Sequence, residues 1–284
     1  MKRWLLILFI LGLIAAYTGY RSAFSSNIKT PEGKEVELFI PTGSDYKVVT
    51  DKLQEKKLLN NMASFHGMAE FMNYTHQVKP GRYIIKDGMS NRELLVKLRS
   101  GDQSAVKFTF VKFRTQDQLA DYVGKQLEMS KEDFLAVMKD RDFLRKYNGL
   151  TPETAMTVFI PNTYQLWWNI KPKDFFKRMF TEYKSFWNEE RNAKRQKLKL
   201  NRLEVMALAS IVEEETNKND EKAKVAGVYL NRIRKGMLLQ ADPTVKYAVG
   251  DFSLRRILNK HLQIDSPYNT YLYPGIPPAP ICTP

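Results

Sequence analysis

Three consecutive glutamates, Glu213, Glu214 and Glu215, end a stretch of the sequence that is otherwise almost entirely apolar. A carboxyl group in crowded, water-poor surroundings resists ionisation, and neighbouring carboxylates repel one another. At least one of the three is therefore predicted to hold its proton to unusually high pH, as a general acid near neutral pH requires. A solvated acidic turn at a helix end explains the same residues equally well, because perturbed carboxylates mark sites only statistically.

The element that must carry these glutamates is a helix that begins after Asn201. Asn201 can cap the helix, and Glu204 can reach back to close a capping box. Residues 205–212 are apolar on nearly every side, which is typical of a buried helix. The glutamates then fall at its C-terminal end, where the helix dipole disfavours each anion by a few tenths to about 1 kcal/mol.

A second helix and a loop further along the chain could complete a site. The helix, predicted over 222–234 and expected to be well buried, carries Asn231, whose amide needs polar partners there. Gln240 and Asp242 follow on a loop that lies near the acidic helix if the two helices are neighbours. Asp242 before Pro243 also simply opens a helix, so structure alone explains it.

The C-terminal segment has a composition that suits one wall of a ligand-binding cleft. Tyr268, Asn269 and Tyr271 offer flat apolar faces with hydrogen-bonding rims, which suit sugar rings. The proline-rich stretch 274–284 predicts an extended wall rather than a helix.

Composition excludes several classes of protein. The 284 residues carry a formal net charge of +14, which nucleic acid, an anionic membrane surface or an acidic polymer could explain. No zinc finger, RRM or basic zipper signature supports nucleic acid as a partner. The single cysteine, Cys282, excludes an internal disulfide, and the scattered histidines show no ligand pattern. No phosphate loop or dinucleotide motif occurs, so neither a metal nor a cofactor is predicted.

The N-terminus predicts a membrane anchor. Residues 4–20 form an uncharged run near the lower length limit for a spanning helix. Lys2 and Arg3 before it favour a cytoplasmic N-terminus, with the rest of the chain outside. A cleaved signal peptide is the alternative, although the small-residue cleavage pattern after Tyr17 is poor.

Between the anchor and the acidic helix the pattern is that of a small α+β region. Alternating Val36, Leu38 and Ile40 predict a strand, and residues 82–86 predict another. Helices are expected after Ser44, over Met62–Met72 and after the capping box of Ser90 and Glu93. A third strand covers residues from Val106, and helices are predicted after Thr115 and, without a break, from Ser130 to Tyr147. The basic stretch 191–202 is typical of a solvated helix end or loop.

Several blocks resemble the YceG-like family of endolytic murein transglycosylases (the MltG type). In the family's order and spacing they are 208–216, 225–232, 236–244, 265–271 and 275–281. Weaker similarity over 36–101 resembles the family's LysM-like domain. The resemblance implies that Glu213 is the catalytic acid/base. The supporting or substrate-binding residues that it implies are Glu215, Asn231, Gln240, Asp242, Tyr268, Asn269 and Tyr271.

Two departures from the family pattern accompany these matches. Asn162 stands where the family usually has an aspartate, which removes any charge role there. The chain also ends at Pro284, where relatives continue, so the C-terminus is expected to be short.

The resemblance also implies an architecture and an activity. The predicted regions are a cytoplasmic tip (1–3), a transmembrane anchor (4–20), a linker (21–34), a LysM-like domain (35–103), a strand–helix connecting subdomain (104–150) and a mixed, mostly helical catalytic domain (151–284). The implied enzyme sits in the cytoplasmic membrane with its catalytic part outside. It cleaves the MurNAc–GlcNAc bond of peptidoglycan strands, leaves 1,6-anhydro ends and terminates nascent strands. Its implied partners are peptidoglycan synthases, the penicillin-binding proteins.

Two other functions fit the same residues. One is a glycan hydrolase that uses Glu213 as acid and Asp242 as base. The other is a non-catalytic scaffold that binds peptidoglycan through the LysM-like region.

Overall fold

The computed structural model describes residues 2–284 and divides the chain into two compact units. Unit 1 runs to Val106 and includes Gln165–Asn169, whereas unit 2 comprises Lys107–Tyr164 and Ile170–Pro284. Strands and helices are mixed and helices predominate, in agreement with the predicted α+β class. Of the residues 104–150, those up to Val106 fall in unit 1 and those from Lys107 onward fall in unit 2.

Unit 1 is built around a two-stranded antiparallel sheet. Its elements in chain order are α1 (Lys2–Phe24), β1 (Val36–Ile40), α2 (Tyr46–Glu55), α3 (Met62–Phe71), β2 (Gly81–Ile85) and α4 (Asn91–Ser100). Strand β1 pairs with β2 so that Val36 lies opposite Ile85 and Ile40 opposite Gly81. The period-2 alternation places Leu38 and Ile40 in the core, fully buried under the helices.

Helix α1 is the apolar segment that the sequence singles out as an anchor. Its part Trp4–Phe24 is long and apolar enough to cross a membrane, and its most apolar stretch is not buried within the described chain. A membrane anchor and a signal sequence both meet this description. The end of α1 is fixed to unit 1 by the buried Asn91, whose amide donates to the Ser22 carbonyl at 2.9 Å. Met1 and the side chains of Lys2 and Arg3, which carry the predicted orientation, lie outside the described residues.

Helix starts in unit 1 follow the predicted capping chemistry with one exception. The Ser90–Glu93 capping box is present at the start of α4. Helix α2 is capped by Asp45 instead of the predicted Ser44, because the Asp45 carboxylate is the group that accepts from the Val48 amide, at 2.9 Å.

Unit 2 contains the acidic helix and the residues around it. Its elements in chain order are β3 (Val106–Thr109, from its second residue), α5 (Gln116–Gln126), α6 (Lys131–Lys139), α7 (Arg141–Arg145), β4 (Thr163–Leu166, to its second residue), α8 (Pro172–Phe186), α9 (Glu189–Lys197), α10 (Arg202–Glu215), α11 (Asn219–Arg234), α12 (Asp242–Val249) and α13 (Asn259–Leu262). Strand β3 pairs with β4. Rings from β3, α6, α8 and the segment before β4, Phe108, Phe134, Phe175 and Phe159, pack into an aromatic core.

Two predictions for unit 2 are wrong, and one is confirmed. The helix expected over 130–147 is broken at Asp140, whose side chain accepts from the Phe143 amide and starts α7. The basic stretch expected as a solvated helix end or loop forms the C-terminal part of helix α9, which has no buried residue, and most of the loop after it. Helix α11 is not well buried: only Tyr229 is buried, because one face of the helix packs on the cluster around α10 while Val228 stays exposed.

Candidate active site

Helix α10 directs the three glutamates to different sides. Its start carries the predicted capping box, in which the Glu204 amide donates to the Asn201 side chain at 2.9 Å. Its body is buried, and all three glutamates lie within the helix, which ends at Glu215. Successive residues of an α-helix are rotated by about 100°, so Glu213 and Glu215 point to nearly opposite sides.

Glu214, between them, is buried in an ion-pair network. Its carboxylate lies 2.8 Å from an Arg114 nitrogen and 3.2 Å from the Lys112 ammonium. Burial by itself raises the pKa of this carboxyl, but hydrogen bonds and charge from Arg114 and Lys112 outweigh burial, so its pKa lies below the ordinary value. The expected effect of crowding is therefore reversed at Glu214.

Glu213 lines an apolar groove formed by α10, α11 and the chain between α9 and α10. This apolar groove has a volume of about 430 Å³, and aliphatic side chains such as Leu208, Val212 and Leu230 form most of its wall. The Glu213 side chain is 27% exposed, and it accepts a hydrogen bond from the Lys222 ammonium of α11. Glu213 and Lys222 have the charged side chains among the described residues that line this groove, and Pro284 lines it as well.

Glu215 and Asp242 line a different, polar groove of about 360 Å³. The Tyr229 hydroxyl donates to Glu215 at 3.2 Å, and the Tyr271 hydroxyl donates to Asp242 at 2.6 Å. Burial and the hydrogen bond to Asp242 raise the pKa of Tyr271 to about 12, so the phenol stays a donor at neutral pH. The structure thus brings together Glu215, Asp242 and Tyr271, but it places Glu213 in another groove.

The loop before α12 is fixed by threonine hydroxyls from the 265–271 segment. The Thr270 hydroxyl lies 2.8 Å from the Thr244 hydroxyl and accepts from the Ala241 amide at 3.0 Å. The Gln240 amide donates to the Thr270 carbonyl, and the exposed Gln240 has a positive φ of 49°. These bonds hold the start of α12, and with it Asp242, against the tyrosine-rich segment.

The other predicted binding residues have structural contacts. Asn269 is fully buried, and its amide donates to the carbonyls of Leu262 and Ile264 at 2.9 Å each, so it holds the loop together. Tyr268 is partly buried and packs on Tyr247, with 4.7 Å between the ring centres. Asn231 is exposed on α11 and accepts from Arg234. Asn162, the departure from the family pattern, is exposed and accepts from the Thr163 amide.

The cations that contact the glutamates cannot be recognised from the sequence. Arg114 is separated from Glu214 by 100 positions, and nothing local distinguishes it or Lys112 from other basic residues. Lys222 lies nine positions from Glu213, beyond the reach of pairing within one helix. Among the described residues no cluster of His, Cys, Asp and Glu side chains has the composition of a metal site.

The last residues of the chain are bound between α10 and the segment that carries Arg114. The fully buried Ser210 hydroxyl accepts from the Ile281 amide at 2.9 Å. The Thr283 hydroxyl accepts from the Phe113 amide at 2.9 Å, and the Thr283 amide donates back to the Phe113 carbonyl. This segment therefore helps to hold Arg114 beside α10.

The comparison with known families identifies the class of protein. A model of the YceG-like family matches residues 38–284, and the chain belongs to that family. This confirms the resemblance drawn from the motif blocks. A yceG-like protein of Listeria monocytogenes, known from a crystal structure, is similar with a TM-score of 0.57 and 28% identity, over 88% of this chain and 86% of that one.

Two similar relatives carry the name endolytic murein transglycosylase. The Bacillus subtilis protein is 29% identical over 87% of this chain and 72% of its own length. The Streptococcus pneumoniae protein is 28% identical over 98% of this chain. The present chain spans just over half, 56%, of the length of the pneumococcal relative.

Replacing the buried carboxylate tests the ion-pair network. Glu214→Gln is expected to lower the free energy of unfolding by about 1–3 kcal/mol at pH 7, because Arg114 and Lys112 lose their anionic partner. Folding lowers the pKa of Glu214, so its charge stabilises the fold above its ordinary pKa of 4.5, and that contribution is lost as the pH falls through the folded-state pKa. Urea unfolding of the detergent-solubilised chain at pH 7 and below pH 4.5 should show a smaller difference at the lower pH. The exposed Glu189→Gln is the control, and equal effects of the two changes at pH 7 would contradict the network.

Cys282 is predicted to be chemically silent in the folded protein. Its side chain is 1% exposed, and burial, with the nearby charge of Glu214, raises the pKa of the thiol to about 12. The thiolate is the reactive form, so alkylation by iodoacetamide at pH 8 should be far slower than that of glutathione. Mass spectrometry should find full labelling after urea unfolding. Rapid labelling of the native chain would show that the thiol is accessible.

Proposed function

We propose that this protein is a membrane-anchored lytic transglycosylase that cleaves peptidoglycan glycan strands endolytically. Membership of the YceG-like family and the names of the two relatives support this class of reaction. The observation that carries the proposal is that Glu213 is the one acidic side chain among the described residues lining the apolar groove. Transglycosylation of this kind needs a single protein acid/base, which a lone carboxylate provides.

In the proposed reaction Glu213 acts first as acid and then as base. Its proton moves to the oxygen of the MurNAc–GlcNAc bond, and the bond from that oxygen to the muramyl C1 breaks. The substrate's own N-acetyl oxygen stabilises the cationic carbon. Glu213 then takes the proton from the muramyl 6-hydroxyl as its oxygen bonds to C1. The products are a free hydroxyl end and a 1,6-anhydro end, and no water is consumed.

The surroundings of Glu213 suit a sugar substrate. Aliphatic walls with a few placed polar groups are typical of ligand sites, and they can pack on the apolar faces of sugar rings. Lys222 holds the Glu213 carboxylate in place before substrate binds. Glu215 and Asp242, together with Gln240 and Tyr271, are proposed to bind more distant parts of the substrate.

A two-carboxylate hydrolase is the second candidate. Such enzymes place two carboxyl groups on either side of one bond, about 5–9.5 Å apart. Glu213 and Asp242 line different grooves, which disfavours this pair. Glu215 and Asp242 do share a groove, so a hydrolase built on those two carboxylates is the version that experiment must exclude.

The remaining parts of the proposal concern location and partners. We infer that α1 anchors the chain in the cytoplasmic membrane with unit 2 and the rest of unit 1 outside, and that unit 1 contains the LysM-like region. Cleavage close to the membrane would terminate nascent strands, and peptidoglycan synthases would then be partners. A non-catalytic scaffold with the same location would bind sacculi and release no soluble product.

The first test of the reaction replaces Glu213. Glu213→Gln keeps the shape of the side chain but removes its proton transfer, so release of muropeptides from purified sacculi is expected to fall at least about 100-fold. Mass spectrometry of the wild-type products should show 1,6-anhydro ends.

Matched variants assign the outcome to one carboxylate. Glu215→Gln is expected to cost about tenfold or less, since it removes binding without proton transfer. Reducing ends in the wild-type products would establish the hydrolase. If Glu215→Gln lost activity and Glu213→Gln retained it, the reaction would have to be assigned to the polar groove.

The second test concerns α1. If it is an anchor, the mature protein in cells should retain its N-terminal peptide and stay in the membrane pellet after carbonate washing. Removal of residues 4–20 should move the protein out of that pellet. Intact-mass measurement that finds the N-terminal segment missing from the wild-type protein would identify a signal sequence instead.

A further inference from the structure

The polar groove has a cationic side that the proposed proton transfer does not use. Lys246 of α12 and Arg255 and Arg256 of the following loop line it together with Glu215 and Asp242. Within residues 2–284, as described, none of the three cations forms a side-chain hydrogen bond or an ion pair. Unpaired cations in a groove attract anions.

The loop that carries the two arginines is held in position. Phe252 lies under the Arg114 guanidinium, 5.4 Å from ring centre to Cζ, and packs on Tyr247 of α12. The next turn is fixed by Asp251, which accepts from the Ser253 amide at 2.9 Å. Because Arg114 also binds Glu214, the ion-pair network of α10 supports this loop.

Two acids of the same groove, Glu215 and Asp242, take their hydrogen bonds from phenols, whereas Glu214, which also lines it, is paired with Arg114. Tyr229 donates to Glu215 and Tyr271 donates to Asp242, and neither acid lies within ion-pair distance of the three cations. Glu215 and Asp242 therefore share a groove of about 360 Å³ with three cations to which they are not paired. A ligand that carries both charges would satisfy both sides at once.

We propose that this groove binds the zwitterionic stem peptide of a peptidoglycan strand. Its carboxylates would contact Lys246, Arg255 and Arg256, and its free amine would lie beside Glu215 and Asp242. The inference rests on the proposed function, because the sugars of such a strand are uncharged and its charges are on the peptides. The groove would thus select strands that still carry stems.

The experiment compares two substrates with the full chain in detergent. One is uncrosslinked strands with intact stem peptides, and the other is the same strands after an amidase has removed the stems. The wild type should have a higher kcat/KM on the stem-bearing strands. In the double variant Arg255→Gln/Arg256→Gln that preference should fall about tenfold, mainly through KM, as expected for two exposed charge contacts. Acetylating the stem amines should also lower the wild-type preference.

A matched variant and the two substrates distinguish failure of this inference from failure of the proposed function. Lys177→Gln/Lys197→Gln removes the same charge from exposed positions on α8 and α9, and it should keep the wild-type preference. Equal cleavage of both substrates by the wild type, or equal losses on both in the arginine variant, would overturn the inference and leave the proposed function standing. Cleavage of neither substrate by the wild type would overturn the proposed function itself.

Discussion

The site depends on the rotation of side chains about helix α10. On an extended chain Glu213 and Glu215 would point to the same face, but on a helix the three glutamates point in three directions. The middle one, Glu214, turns into the protein and is neutralised by Arg114 and Lys112. With that charge compensated, Glu213 and Glu215 are free to face two grooves on opposite sides. One buried ion pair therefore sets the orientation of two potential functional groups.

Neighbouring residues give the chemically identical side chains of Glu213 and Glu215 different environments. Glu213 has an ammonium beside it and aliphatic walls around it, whereas Glu215 has a phenol beside it and charged residues around it. Electrostatic effects are stronger where walls are apolar and water is scarce. A proton transfer gains most from the first setting, and recognition of a charged ligand gains most from the second. Helix α11 supplies the direct partner of each carboxylate, Lys222 for Glu213 and Tyr229 for Glu215, whereas α12 supplies Lys246 to the polar groove alone.

Local signals allowed much of this architecture to be predicted. Residues close together in the sequence form the capping boxes at Asn201 and Ser90 and the alternation in β1. These features could therefore be predicted from the sequence. The break at Asp140 was missed because an aspartate inside a helical pattern can cap as well as continue. The pairing of Glu214 with Arg114 was out of reach, since it joins residues 100 positions apart. The burial of Asn269 could not be predicted either. An asparagine in a tyrosine-rich loop has the same sequence pattern whether its side chain binds backbone carbonyls or a ligand.

The C-terminal segment stabilises the long-range pairing of Glu214 with its cations. Ser210 binds Ile281 from inside α10, and Thr283 binds Phe113 next to the residues that pair with Glu214. The segment thus bridges the acidic helix and its cations through neutral hydrogen bonds, which do not weaken with ionic strength as surface charge pairs do. Because these bonds are buried, breaking one leaves a polar group unsatisfied, and the arrangement resists partial opening. The C-terminal segment therefore stabilises α10 close to Glu213 and, through Pro284, also forms part of the groove that Glu213 lines.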